Sequence, residues 1–269
     1  MTGAPIFCYH DLVDTADELP AIAPAHRPYV LTRPQFVAHL AALAAGTVGA
    51  SPRRPSTVAE VLDAPAPGRF VLSFDDGHVS SYSKIFPLLA ERGWPGTFFV
   101  VAGWVGTRNA LTWEQLRAMA DAGMEIGSHS LTHPFLHGLS PAEIRREFGD
   151  SKRMLEDGIG RAVEVASLPR GSAAPGTAAI IADLGYRAFC TSAPGLVSRA
   201  TDPFDAPRIA IKWRTSAAFV ARVLAGRSLT LARLHLSFVV KRFGKELIGA
   251  ERWRRVRGAV IARTARAGS

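Results

Sequence analysis

Phe70-Val71-Leu72-Ser73-Phe74-Asp75-Asp76-Gly77 runs from an apolar, strand-like stretch straight into two adjacent carboxylates and a glycine. Successive side chains on a strand point to opposite faces. Asp75 and Asp76 can therefore reach one site only where the strand stops and the backbone turns, a turn that Gly77 permits. Two negative charges placed there are costly unless a cation, either a metal or an arginine, sits between them. By itself D-D-G is also ordinary turn chemistry before a helix, so its meaning depends on what the rest of the chain brings to it.

Outward from this stretch, apolar strand-like runs alternate with helical patterns. Residues 5–8, 70–74, 97–101, 124–127, 163–168, 186–191 and 208–212 read as strands. Helices are predicted over 33–45, over 82–92 closed by Gly93, from Thr112 with Gln115 completing a capping box to Gly123, and over 177–184. Ser140-Pro141-Ala142-Glu143 is a complete start signal for a helix expected to reach about Asp157, before Gly158. Seven strands separated by helices imply a largely parallel sheet with helical cover, and a barrel explains the repetition better than an open sheet. The stretch 52–67 reads as a loop with a short helical piece at 57–62. The dinucleotide fingerprint, the P-loop and the G-x-S-x-G elbow are all absent, which argues against nucleotide binding and serine hydrolysis.

A second signal is Gly127-Ser128-His129-Ser130-Leu131-Thr132-His133-Pro134, which follows the 124–127 strand directly. Parallel α/β folds build their sites at the C-terminal ends of the strands. Two histidines four apart face one point if the segment takes a helical turn. Read as a pair, the two signals supply two imidazoles, one carboxylate and a second carboxylate to spare. Three protein ligands with open positions describe a catalytic metal, whereas a structural site would be closed by four. Nitrogen and oxygen donors without thiolate suit one divalent ion, with Zn²⁺ the first choice and Co²⁺, Ni²⁺, Mn²⁺ or Fe²⁺ as the others. Such an ion polarises a carbonyl and lowers the pKa of bound water, and the spare carboxylate would take that water's proton.

S-F-D-D-G resembles the T-F-D-D-G motif of the polysaccharide deacetylases, carbohydrate esterase family four, and H-S-L-T-H resembles that family's H-[ST]-x-x-[HD] motif. The connecting pieces Pro87-Leu88-Leu89, Gly96-Thr97-Phe98-Phe99-Val100 and Leu111-Thr112-Trp113 agree in order and spacing. The resemblance extends over about residues 5–211. It implies a distorted (β/α)7 barrel and metal-dependent removal of acetyl groups from sugars. It assigns Asp75 as general base and Asp76, His129 and His133 as metal ligands. Leu168-Pro169-Arg170-Gly171 departs from the family's third motif, placing Arg170 where an aromatic residue is usual. The Arg170 N–H remains available as an oxyanion donor, and its side chain offers a contact for an anionic substrate group. The general acid is unassigned, with His235 (in Leu231-Ala232-Arg233-Leu234-His235) and His10 as candidates. His78 and His137 are expected to be incidental.

Charge is distributed unevenly. Residues 206–269 hold 15 Lys and Arg against only Glu246 and Glu251, a net +13 within an overall +9, so the remainder is net −4. The expected division is a deacetylase-like barrel over 1–213 and a basic, helical C-terminal extension over 214–269. In the extension, basic residues alternate with Leu229, Leu231, Leu234, Leu236 and Phe238, a pattern that suits an anionic membrane surface. No nucleic-acid recognition motif is present, and no nucleic-acid partner is expected. The first ten residues lack the charge and apolar run of a signal peptide, and no apolar stretch approaches the roughly 18 residues of a spanning helix. Cys8 and Cys190 sit in apolar runs as expected for free buried thiols. The expected location is cytoplasmic, including the inner membrane surface. The expected activity is a carbohydrate N-deacetylase acting on an N-acetylated sugar, including a lipid-linked one. The alternatives are a same-fold hydrolase of another amide (a formamide or a cyclic amide) and a non-catalytic glycan-binding scaffold.

Overall fold

The computed structural model describes residues 3–248, leaving out 49 and 227. At its centre is a parallel sheet of eight strands among the described residues. Ile6–Tyr9 lies between Arg69–Phe74 and Ile209–Ala210. From Arg69–Phe74 the sheet continues through Thr97–Val100, Glu125–Ser128 and Val165–Ser167 to Ala188–Cys190. Ile6–Tyr9 and Thr97–Val100 are buried along their whole length, as strands covered on both faces must be. The sheet curls back on itself because residues 206–211 span its two ends: Cys190 bridges to Ala206, and Ile209 and Ala210 pair with Phe7 and Cys8.

The curled sheet encloses Ile6, Val71, Phe99, Val165, Ala188 and Cys190, with Val58 and Val61 of the helix Val58–Asp63 packed among them. Gly127 makes room for this packing, since a Cβ there would stand 2.6 Å from the Phe99 ring. Because the strands are parallel, Arg69–Phe74, Thr97–Val100 and Glu125–Ser128 end on one rim, where the residues that follow Phe74, Val100 and Ser128 lie.

Three local expectations change. Arg54–Ser56, within a stretch read as loop, pairs with Arg69, Phe70 and Val71 as an eighth strand. The helix expected over 82–92 opens as a wide π turn at Ser81–Ile85 and becomes α-helical only over Phe86–Ala90. The helix Pro141–Ile159 runs through Gly158 and stops at Gly160, which takes the left-handed cap at φ 69°. Gly158 is there for packing, because a Cβ on it would lie 2.2 Å from the Trp113 ring.

The chain divides between Arg227 and Ser228, later than the boundary after 213 that charge suggested. The helix Ala217–Leu224 belongs to the first unit, where it packs against the helix Arg33–Ala44 and buries Val220, Val223 and Leu224. The second unit contains the helix Ser228–Ile248. The expected extension beyond residue 248 lies outside the described residues. Among the described residues no single helix is long and apolar enough to cross a membrane.

Candidate active site

Asp75 and Asp76 leave the same strand end in different directions because Asp76 itself adopts a left-handed conformation, φ 76°, followed by Gly77 at φ 77°. An aspartate tolerates that region better than most residues. The left-handed Asp76 separates two neighbouring carboxylates into two environments, as uncommon backbone conformations at functional sites often do.

Asp75 turns inward and is 3% exposed. Arg208, also 3% exposed, grips it with two parallel bonds, Nη1 to Oδ1 at 2.6 Å and Nη2 to Oδ2 at 2.9 Å. The Cys8 thiol donates to Oδ2 at 3.4 Å. Burial alone would raise the Asp75 carboxyl, but Arg208, with His129 and His10, holds it below the ordinary carboxylate range. Arg208 is anchored in turn by its Nε–H to the Thr191 carbonyl at 3.1 Å.

Asp76 faces the histidines. Its Oδ1 is buried without a hydrogen-bond partner, yet lies 3.5 Å from His129 Nε2 and 3.4 Å from His133 Nε2. Those spacings are long for hydrogen bonds. They match the separation of about 3.4 Å between two ligands held roughly 2.1 Å from one tetrahedral ion. The ligand atoms of Asp76, His129 and His133 all lie within 4.8 Å of one another. An orphaned buried carboxylate oxygen set between two imidazole nitrogens fits a divalent cation.

The histidines are presented for that role. His129 Nδ1 is held by the Ser167 hydroxyl at 2.6 Å, which turns Nε2 toward Asp76. Supporting bonds of this kind fix the tautomer and raise ligand basicity. His133 does not follow His129 by a helical turn as expected. Ser130 and His133 have φ 69° and 61°, and the loop folds around Ser130, whose hydroxyl accepts from the His133 N–H at 3.0 Å. Glu147, on the helix Pro141–Ile159, straps the loop by accepting from the Leu131 and Thr132 N–H groups at 3.1 and 2.9 Å. Burial, then His129, pulls the His133 imidazole down to about 4, so it stands neutral and able to ligate at neutral pH. His78 is not incidental: its Nε2 lies 3.5 Å from Asp76 Oδ2. His137 is exposed, and His235 lies in the separate second unit.

Residues 63–189 match the family model described as polysaccharide deacetylase. The chain is 32% identical over 129 residues to a putative polysaccharide deacetylase, YxkH, of Bacillus subtilis, which covers 48% of this chain and 46% of that protein. It is 31% identical over 105 residues to the chitooligosaccharide deacetylase of Rhizobium leguminosarum bv. phaseoli, covering 39% and 41%. Among solved structures, the Streptococcus pyogenes deacetylase PplD in complex with acetate superposes with a TM-score of 0.69 at 25% identity, over 81% of this chain and 96% of that one. The chain carries a polysaccharide deacetylase domain over residues 63–189. Its matched stretch spans less than half the length of the two curated relatives, and the fold is that family's distorted (β/α)7 barrel.

The family's first two motifs thus converge in space. The altered third motif behaves differently from its sequence reading. Arg170 sits at φ 55° between Pro169 and Gly171, and its side chain stays at home. The Nε–H donates to the His133 carbonyl at 2.8 Å while the guanidinium lies 4.7 Å over the Phe135 ring. Its visible work is to brace the loop carrying His133. Sequence reading missed Arg208, counted among the charges of the basic stretch although it is buried in the barrel, and missed the roles of Ser167 and Cys8. The available signal for Arg208 was its place in an apolar strand, where an unpaired cation would be expensive.

Proposed function

We propose that this chain is a metal-dependent hydrolase that removes the acetyl group from an N-acetylated sugar in a polysaccharide or glycolipid intermediate. The observation that carries the reading is the buried, unpartnered Asp76 Oδ1 between two imidazole nitrogens, beside an Asp75 that Arg208 keeps ionised. Asp76, His129 and His133 would hold the ion. An ion bound there supplies Lewis acidity toward the amide carbonyl and lowers the pKa of water.

The remaining steps fall to the chain's own side chains. Asp75 accepts the proton of the attacking water, and Arg208 fixes the plane of its carboxylate for that transfer. The Arg170 N–H would donate to the oxyanion that forms on the carbonyl. His10 is assigned as the proton donor to the leaving amine. Its Nδ1 is buried without a partner and its ring rests 4.7 Å from Tyr29; burial lowers its pKa below the ordinary 6.5, and Asp76 and Asp75 oppose that shift without reversing it. The C–N bond breaks, acetate departs, and the sugar keeps a free amine.

A lipid-linked substrate is the finer form of this reading. The helix Ser228–Ile248 leaves Leu229, Leu236 and Val240 at 73%, 64% and 57% exposure, alongside exposed Arg233. That chemistry suits contact with an anionic lipid surface at the inner face of a membrane. The deciding experiment is acetate release from N-acetylhexosamine oligomers and lipid-linked N-acetyl sugars by the Zn²⁺- or Co²⁺-loaded chain. Release that depends on metal and on Asp75 is expected. Formate release, cyclic-amide opening, or glycan binding without acid release would replace the reading.

A further inference from the structure

A second cluster of metal-ligating side chains adjoins the first and shares none of its ligands. Cys8 lies on the buried strand Ile6–Tyr9, His10 follows that strand's end, and Asp75 follows the neighbouring strand Arg69–Phe74. The ligand atoms of Cys8, His10 and Asp75 all lie within 4.8 Å of one another. Cys8 Sγ stands 3.4 Å from Asp75 Oδ2, close to the separation of about 3.6 Å for a sulfur and an oxygen on one tetrahedral ion. Cys8 is 5% exposed, so a small ion is better suited to reach it than a bulky reagent. The independent sign of a missing ligand is His10 Nδ1, a buried nitrogen with nothing to bond.

We propose that Cys8, His10 and Asp75 form a second cation site that takes a thiophilic divalent ion, Zn²⁺ or Cd²⁺, and that filling it arrests hydrolysis. Thiolate donors select these ions over Mg²⁺, Ca²⁺ and Mn²⁺. Binding exchanges the Cys8 S–H proton, released to solvent, for the ion, with no change in oxidation state. Arg208 keeps its bonds to Asp75 and becomes an outer support of the bound carboxylate. The site of Asp76, His129 and His133 contains no thiol that must be deprotonated, so it fills first and the thiol-containing site responds to excess metal. The ion-binding half stands on geometry alone. The arrest rests on the proposed function, because the ion would occupy the assigned base and proton donor together.

The test is titration of the full chain with Co²⁺, read by absorption. A first equivalent is expected to give visible bands without thiolate character. A second is expected to bring a near-ultraviolet sulfur-to-cobalt band. Cys8→Ser should abolish that band and weaken the second equivalent by more than the roughly 10–100-fold that loss of a mere supporting bond costs. His133→Ala should remove the first set and leave the second. In parallel, acetate release should rise to one equivalent of Zn²⁺ and fall beyond it, and Cys8→Ser should remove the fall. A second equivalent without a thiolate band, or one that binds Cys8→Ser equally well, overturns the site. A thiolate band in a chain that hydrolyses no N-acetyl sugar retains the site and overturns only the function on which the arrest rests.

Discussion

Arg208 and Asp75 form a fork-to-fork ion pair at the heart of the barrel, with both residues 3% exposed and the two N···O distances at 2.6 and 2.9 Å. The pair joins the strand end that carries the candidate base to the segment that closes the sheet, so it is at once structural and chemical. Taking one member away leaves the other as a buried, uncompensated charge.

Arg208→Gln is therefore expected to cost about 3–5 kcal/mol of stability, measured by urea unfolding of the metal-free chain. A loss below about 1 kcal/mol, the range of exposed pairs, would mean that water reaches Asp75. The pH dependence has a defined sign. Because the folded-state carboxyl of Asp75 is depressed below its ordinary 3.8, the pair's contribution is complete above that pH. It is lost as the pH falls through the lower folded value. Thermal unfolding between pH 7 and 2 should show this loss in the parent chain and a flatter profile in Asp75→Asn.

Asp75→Asn keeps the shape of the side chain and removes the proton acceptor. We expect acetate release to drop by about 10²–10⁴-fold while metal content stays at one equivalent. His133→Ala should reverse the pattern, losing stoichiometric metal by elemental analysis. Normal turnover in Asp75→Asn would remove it as base, and unchanged metal content in His133→Ala would remove that ligand.

Ser167 touches no substrate in this reading, but its hydroxyl sets the His129 ring at 2.6 Å. Ser167→Ala is expected to weaken metal binding by roughly 10–100-fold, measured by competition with a chromogenic chelator. Activity at saturating metal should be largely recovered. An affinity indistinguishable from the parent chain would show that the Ser167 carbonyl, 3.2 Å from the same nitrogen, suffices to hold the ring.

Gly158→Ala separates helix propensity from packing. In an exposed helix interior the change would stabilise by about 0.8–1.0 kcal/mol. Here the new Cβ would meet the Trp113 ring at 2.2 Å, and overpacking costs typically about 1–3 kcal/mol. Packing should win, giving a net destabilisation in urea unfolding. A stabilised variant would mean that Trp113 moves aside freely.

Much was legible in the chain alone. The alternation of apolar runs with capped helices determined a largely parallel sheet with helical cover, while the choice of a barrel over an open sheet came from the motif resemblance, because periodicity is the same in both. D-D-G and H-S-L-T-H determined the donor types for a cation, because both follow strands that end on one rim. Local signals went astray where long-range contacts decide: at Gly158, where Trp113 overrides a stop signal, and at Arg54–Ser56, too short and polar to read as a strand. What only the tertiary structure decided was why the two neighbouring aspartates have different surroundings, a difference that the motif resemblance assigns without a physical cause. They differ because Arg208, 133 residues away, and Cys8 close on one, while His129 and His133 leave the other with an unpaired oxygen. No local pattern encodes a contact between residues so far apart, since it exists only once the barrel has closed.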